Sequence, residues 1–174
     1  MRVEDDDGLP GVGIAESFAI PQRAPIVRGP EATVMWDCIS VVTDDAVERI
    51  GHVDAIAISH PHFYSAMVEW SDALGGVPIH VHAADREWIA RPSERIEPWD
   101  GERLELTPGI TLVHLPGHFP GSSALWWHGG DLHRRLDGVD FDDLYGFTWG
   151  LNVIGDARAA VDESLDRYLE AISA

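Results

Sequence analysis

The sequence predicts a mixed α/β domain, and three observations carry that prediction. Ala55-Ile56-Ala57-Ile58 is a continuous apolar run of strand length, the mark of a strand covered on both faces. Met67, Trp70 and Leu74 follow it three or four residues apart, which puts one apolar stripe on a helix. Strand-length segments stand in pairs early and late in the chain with helical stretches between them, an order that layered α/β domains share. A length of 174 residues suits one domain spanning 1–174, with residues 1–11 expected as a flexible start.

The elements can be read in chain order. The first thirty residues are rich in Gly and Pro, and their short apolar runs, Phe18 to Ile20 and Pro25 to Val27, suit short strands. Thr33 to Trp36 and Ile39 to Val42 read as strands, and Thr43 caps a short helix carrying Ala46, Val47 and Ile50. After the Ala55 to Ile58 strand comes a loop with His60, Pro61 and His62, then a helix over Phe63 to Leu74 that Gly75-Gly76 stops. Val77 to His82 resumes as a strand and Ala83 to Ala90 as a helix. Arg103 to Leu106 and Ile110 to Leu115 form a strand pair broken by Pro108-Gly109, and Ala124 to Trp127 is a further apolar stretch. A last helix begins near Asp156, because Ala160, Val161, Leu165, Tyr168, Leu169 and Ile172 share one stripe.

Composition narrows the functional classes. A formal charge of -18 repels phosphate backbones and anionic membrane surfaces, so neither nucleic acid nor membrane is an expected partner. The acidic residues are scattered through the chain, so they speak for solubility and name no substrate. Glu4, Asp5, Asp6 and Asp7 stand where a signal peptide would need a basic start and an apolar stretch, and no segment approaches the roughly 20 apolar residues of a membrane span. A cytoplasmic protein is expected. Cys38 is the single cysteine, which excludes an intrachain disulfide and reads as a small buried apolar residue. Monomer and homo-oligomer both remain open.

The chemistry concentrates in two short segments. Ser59-His60-Pro61-His62 follows the buried strand directly, and residues two apart in extended chain point the same way, so both imidazoles can converge on one point. Zinc holds imidazole nitrogen at about 2.0–2.1 Å, and His118 can supply a third donor from the glycine-lined loop Pro116-Gly117-His118-Phe119-Pro120-Gly121. Three histidines leave a fourth coordination position open, the catalytic pattern and not the sealed structural one. The competing reading is chance, since nine histidines in one chain produce some His-x-His pairs. His80 and His82 alternate on a strand and are expected to form its half-exposed polar face, although His82 at the strand's end can also lie near the metal. His114, His128 and His133 show no recognisable partners and are expected to be structural or surface residues.

These two segments resemble the metallo-β-lactamase superfamily of metal-dependent hydrolases, whose hallmark is His-x-His-x-Asp-His on a loop after a strand, with a later Gly-His. Ser59 to His62 and Gly117 to Ser122 match as they stand, while Tyr64 and Ser65 occupy the places of the hallmark Asp and His. Phe18-Ala19-Ile20 with Gln22-Arg23-Ala24, Met35 to Ser40, and Ser59 to Trp70 are similar to an uncharacterised branch that carries tyrosine and serine there. The resemblance runs over most of the chain from residue 12. It implies an αβ/βα sandwich of two mixed sheets with helices outside and an abbreviated C-terminal half. It also implies a hydrolase acting on a small-molecule substrate, with one ion, zinc or another divalent metal, held by His60, His62 and His118.

Within that resemblance, Asp131 in Gly130-Asp131 stands either as a further ligand that orients or deprotonates the water, or as a turn residue. Tyr64 either donates a hydrogen bond to a developing oxyanion or packs under the loop. Loss of the second-site ligands leaves a rival reading open, a degenerate domain that binds or assembles without turnover. An iron-dependent oxidoreductase ranks last, because such variants need the carboxylate-rich dinuclear site that this chain lacks.

Overall fold

The computed structural model describes residues 2–13, 22–127, 142–145, 152–161 and 163. Among them, ten strands form two sheets. The larger begins with a hairpin, β1 (Arg2–Asp6) and β2 (Leu9–Gly13), that the sequence reading did not anticipate. Its connection is Asp7-Gly8, both at positive φ (56° and 89°), as a two-residue primed turn demands. β3 (Arg23–Arg28) and β4 (Thr33–Trp36) continue antiparallel. β5 (Ala55–Ala57), β6 (Ile79–His82) and β7 (Ile96–Trp99) then add in parallel, so that all seven strands lie in sequence order. β7 was also missed, since Pro98 argues against a strand; it is tolerated because β7 is an edge. At the opposite edge, the Val3 carbonyl accepts a hydrogen bond from the Arg49 guanidinium at 2.7 Å. The second sheet is the antiparallel β8 (Arg103–Thr107), β9 (Ile110–His114) and β10 (Ser123–Trp127), with β9 central.

Strand periodicity explains the layering. Ile26, Met35, Ile56 and Ile79 point to a core shared with helices α1 (Asp44–Ile50) and α2 (Met67–Ala73), through Ala46, Ile50, Met67 and Trp70. Their neighbours Val27, Val34, Ala55 and Ala57 point the other way, to a second core with Ile110 and Leu112 of the small sheet. This is why the Ala55 run is apolar without alternation: both faces are covered. Helix, sheet and sheet thus stack as three of the layers of the expected sandwich. Residues 157–161 are helical where the last helix was expected to begin, and its remainder, like the Phe18 to Ile20 strand, lies outside the described residues.

Three elements differ from expectation. Ile39 to Val42 is not a strand: Asp37 takes a positive φ of 65° and turns the chain, and Ile39 drops into the helix-side core, where its carbonyl accepts from the Trp70 indole at 2.8 Å. The Phe63 to Leu74 helix is split into a 3₁₀ turn at Pro61–Phe63 and α2, leaving Tyr64 to Ala66 between them. Ala83–Trp88 is 3₁₀ and not α-helical, its first turn tied by the Ala84 N–H donating to His82 Nδ1 at 3.3 Å. Thr43 does cap α1, its Oγ1 accepting from Ala46 N–H at 3.3 Å.

Candidate metal centre

The parallel arrangement of β4, β5 and β6 places their carboxyl ends side by side, the end of an open α/β sheet where sites gather. Asp37 follows β4, Ser59 to His62 follow β5, and His82 ends β6. The β9–β10 loop completes the group with His118. That loop is fastened to the β5 loop by Ser123 N–H donating to the Ser59 carbonyl at 2.9 Å.

His60, His62 and His118 come together. Their ring centroids lie 5.0, 5.1 and 4.9 Å apart, with planes 68–75° from one another, so each ring turns an edge to the others. One nitrogen from each falls within 4.8 Å of the other two. A tetrahedral zinc site with bonds of about 2.0–2.1 Å needs donors about 3.3 Å apart, a small closure from this geometry. His62 and His118 are exposed and His60 is half-buried, which leaves one side of the group open. Three imidazoles converging at this spacing suit a divalent ion.

Protonation favours the same use. Burial, and next the nearby His62 and His118, lower the His60 pKa to about 4, so the ring is neutral at physiological pH, the form that binds metal. A relay also sets its tautomer. Ser59 Oγ donates to Asp37 Oδ2 at 2.9 Å and lies 2.8 Å from His60 Nδ1. With Asp37 ionised, the hydroxyl gives it its only proton and can only accept from the ring, so Nδ1 carries the ring proton and the unprotonated Nε2 is left to bind a metal. Asp37 also accepts from Ser59 N–H at 2.7 Å; burial pushes its pKa up to about 7 while the two Ser59 bonds pull it down. The sequence pattern alone assigns Asp37 and Ser59 no role. Their signal was a carboxylate just past one parallel strand and a hydroxyl just past the next.

Phe119 walls the triad, its ring 4.8 Å from His118 and 5.2 Å from His62, and the exposed Trp88 meets Phe119 at 5.6 Å. Tyr64 is buried; burial first, then Asp85 and Asp37, raises its phenol pKa well above the ordinary range, so it keeps its proton. Asp131 lies outside the described residues, as do His128 and His133. His80 sits 3.8 Å from Glu97 and away from the triad group. His82 is not on a half-exposed face: it is buried, and its ring stacks on His114 with centroids 3.9 Å apart. His114 therefore has partners after all, the second being the Pro120 carbonyl at 2.7 Å from Nε2. Cys38 is buried as expected, and burial followed by the Asp37 charge drives its thiol pKa well up. No helix among the described residues is long and apolar enough to cross a membrane.

Comparison with known proteins bears on the fold. No protein-family model matches the chain. The uncharacterized protein YmaE of Bacillus subtilis (strain 168) is 39% identical over 131 residues, covering 74% of this chain and 47% of YmaE, so the chain spans about half the length of that curated relative. Among solved structures, TTHA1623 in a di-iron-bound form aligns with 92% of this chain and 85% of its own, at 25% identity and a TM-score of 0.54. An AiiA mutant of B. thuringiensis with N-decanoyl-L-homoserine at its active site covers 68% of this chain and 61% of its own (17% identity, TM-score 0.50). AidC, a dizinc quorum-quenching lactonase, covers 64% of this chain and 54% of its own (12%, 0.50). The chain thus has the fold of the metallo-β-lactamase type of metallo-hydrolase, with a histidine triad that can hold a metal ion at the carboxyl ends of its parallel strands.

Proposed function

We propose that this chain is a metal-dependent hydrolase of a small-molecule substrate, holding one divalent ion, zinc in the first instance, on His60, His62 and His118. The observation that carries the reading is the convergence of three imidazole donors within 4.8 Å, open on one side. When bound, such an ion supplies a Lewis acid that brings the pKa of water toward about 7 and polarises a carbonyl or ester oxygen. The residues supply the rest. Asp37 and Ser59 hold His60 in one tautomer, Phe119 shields the flank of the group, and Tyr64 keeps a phenolic proton for donation to a developing oxyanion. Asp131 is the proposed carboxylate that orients or deprotonates water.

One ion is proposed because Tyr64 and Ser65 stand where the hallmark's second-site ligands would be. The intact triad favours this reading over a non-catalytic binding domain. A panel of ester, thioester, lactone, lactam and phosphodiester substrates tests it, comparing metal-loaded protein, chelated protein and His60→Ala. Turnover should require the ion and rise with pH through a limb near neutrality. Activity untouched by chelation would sink the mechanism, and a metal-loaded protein silent on the whole panel would favour the binding domain.

A further inference from the structure

We propose that Asp85 is a positioning residue for His118: it grips the backbone of the His118 loop and thereby sets the affinity and geometry of the metal group, an inference that rests on the triad reading above. Asp85 lies in the 3₁₀ segment after β6, and no part of the residue is exposed. Its Oδ1 accepts from Gly121 N–H at 2.8 Å, thirty-six residues away in sequence and three residues past His118. Its Oδ2 is buried with no hydrogen-bond partner among the described residues.

A buried carboxylate with one orphaned oxygen is a poor choice for packing alone, because an unsatisfied buried polar atom destabilises the fold, and a charged one does so more. What it gains is a side-chain hydrogen bond to one backbone N–H of the His118 loop. The contact is also made to one tolerance. A Cβ on Gly121 would fall 2.7 Å from Asp85 Cγ and 3.0 Å from His82 Cβ, so only glycine lets the loop seat this deeply.

The same corner holds the loop at a second point. His82, which ends β6 beside Asp85, stacks on His114, and His114 Nε2 lies 2.7 Å from the Pro120 carbonyl. Inside the loop, Phe119 N–H donates to Ser122 Oγ at 2.8 Å, so the segment between the anchors is itself braced. His118 is an exposed side chain on a glycine-rich loop, and the fully buried Asp85 anchors the backbone that carries it. Freed from Asp85, the loop would sample more conformations and present the third donor for a smaller fraction of the time, which lowers apparent affinity in proportion.

The test uses the full chain stripped by chelator and titrated with Co²⁺, recording the visible ligand-field bands, with Zn²⁺ affinity read by competition against a chromophoric chelator. Asp85→Ala should weaken both ions about 10- to 100-fold and shift the cobalt bands, whereas Asp85→Asn, which keeps an oxygen for Gly121 N–H, should stay within about threefold of wild type. Gly121→Ala approaches the same contact from the loop and should weaken binding in the same direction. Thermal unfolding of the metal-free proteins is measured alongside. Wild-type affinity and cobalt spectrum in Asp85→Ala, with only the metal-free melting temperature lowered, would reduce Asp85 to a structural residue and overturn the proposal. So would an Asp85→Asn as weak as Asp85→Ala. Should Asp85→Ala not fold, wild-type affinity in Gly121→Ala overturns it instead. Failure of the wild-type chain to bind either ion is a separate result, and it removes the triad reading itself.

Discussion

Ser59→Ala tests whether the relay behind His60 matters to the metal group. The substitution leaves Asp37 its bond from Ser59 N–H at 2.7 Å but removes the hydroxyl bond at 2.9 Å, and it takes away the partner 2.8 Å from His60 Nδ1. Losing one of two bonds to a fully buried carboxylate costs about 1–3 kcal/mol of folding stability. The second loss acts on binding: with Nδ1 released, the ring can rotate or carry its proton on Nε2, and substitution of such outer partners weakens metal binding about 10- to 100-fold, or about 1.4–2.8 kcal/mol. Ser59→Thr keeps the hydroxyl and should retain most of the affinity. Zinc competition with a chromophoric chelator reads the affinity, and urea unfolding of the metal-free chains reads the stability. If Ser59→Ala binds zinc as tightly as wild type while its metal-free stability falls, the relay braces the fold and does not orient the ligand.

Three further outcomes follow from the same geometry. Protein purified without chelator should carry about one divalent ion per chain; His60→Ala and His118→Ala should each lose it, and His80→Ala should not, as read by elemental analysis. In the metal-free protein His60 has a folded pKa near 4 against about 6.5 when unfolded, so the unfolded state takes up more protons as pH falls and stability is lost between about pH 6.5 and 4. The stability of wild type relative to His60→Gln should therefore decline across that window in urea titrations; a flat difference would refute the shift. Trp70→Phe leaves the Ile39 carbonyl without the indole donor in a fully buried setting, and a loss of about 1–3 kcal/mol is expected in the denaturation midpoint.

Much of this is legible in the sequence. The apolar run at Ala55 marked a strand covered twice, and the spacing of His60, His62 and His118 pointed to one locus, because strand direction and loop position follow from short-range pattern. What escaped was fixed by contacts distant in sequence. Asp85 and Gly121 sit thirty-six residues apart, and nothing local to either announces the other. His82 looked like the outer face of a strand because alternation is blind to what packs at a strand's end, where His114 comes to lie on it. Ile39 to Val42 had strand composition, but one residue at positive φ, Asp37, decided its course. The Asp7-Gly8 turn was readable by rule, yet acidic Glu4 and Asp5 hid the strand before it.

The two margins of the large sheet bear on how copies of this chain can meet. A bare strand edge is a template for another strand. At β7 the template is spoiled by Pro98, which has no N–H to offer; at β1 the Val3 carbonyl is already claimed by Arg49, and the exposed Glu4 and Asp5 would set carboxylates against carboxylates in a second copy laid alongside. Growth by adding strand to strand is thus discouraged at both ends, by a missing donor at one and by occupied acceptor and like charge at the other. Edge-to-edge addition of a second copy to the large sheet is therefore disfavoured.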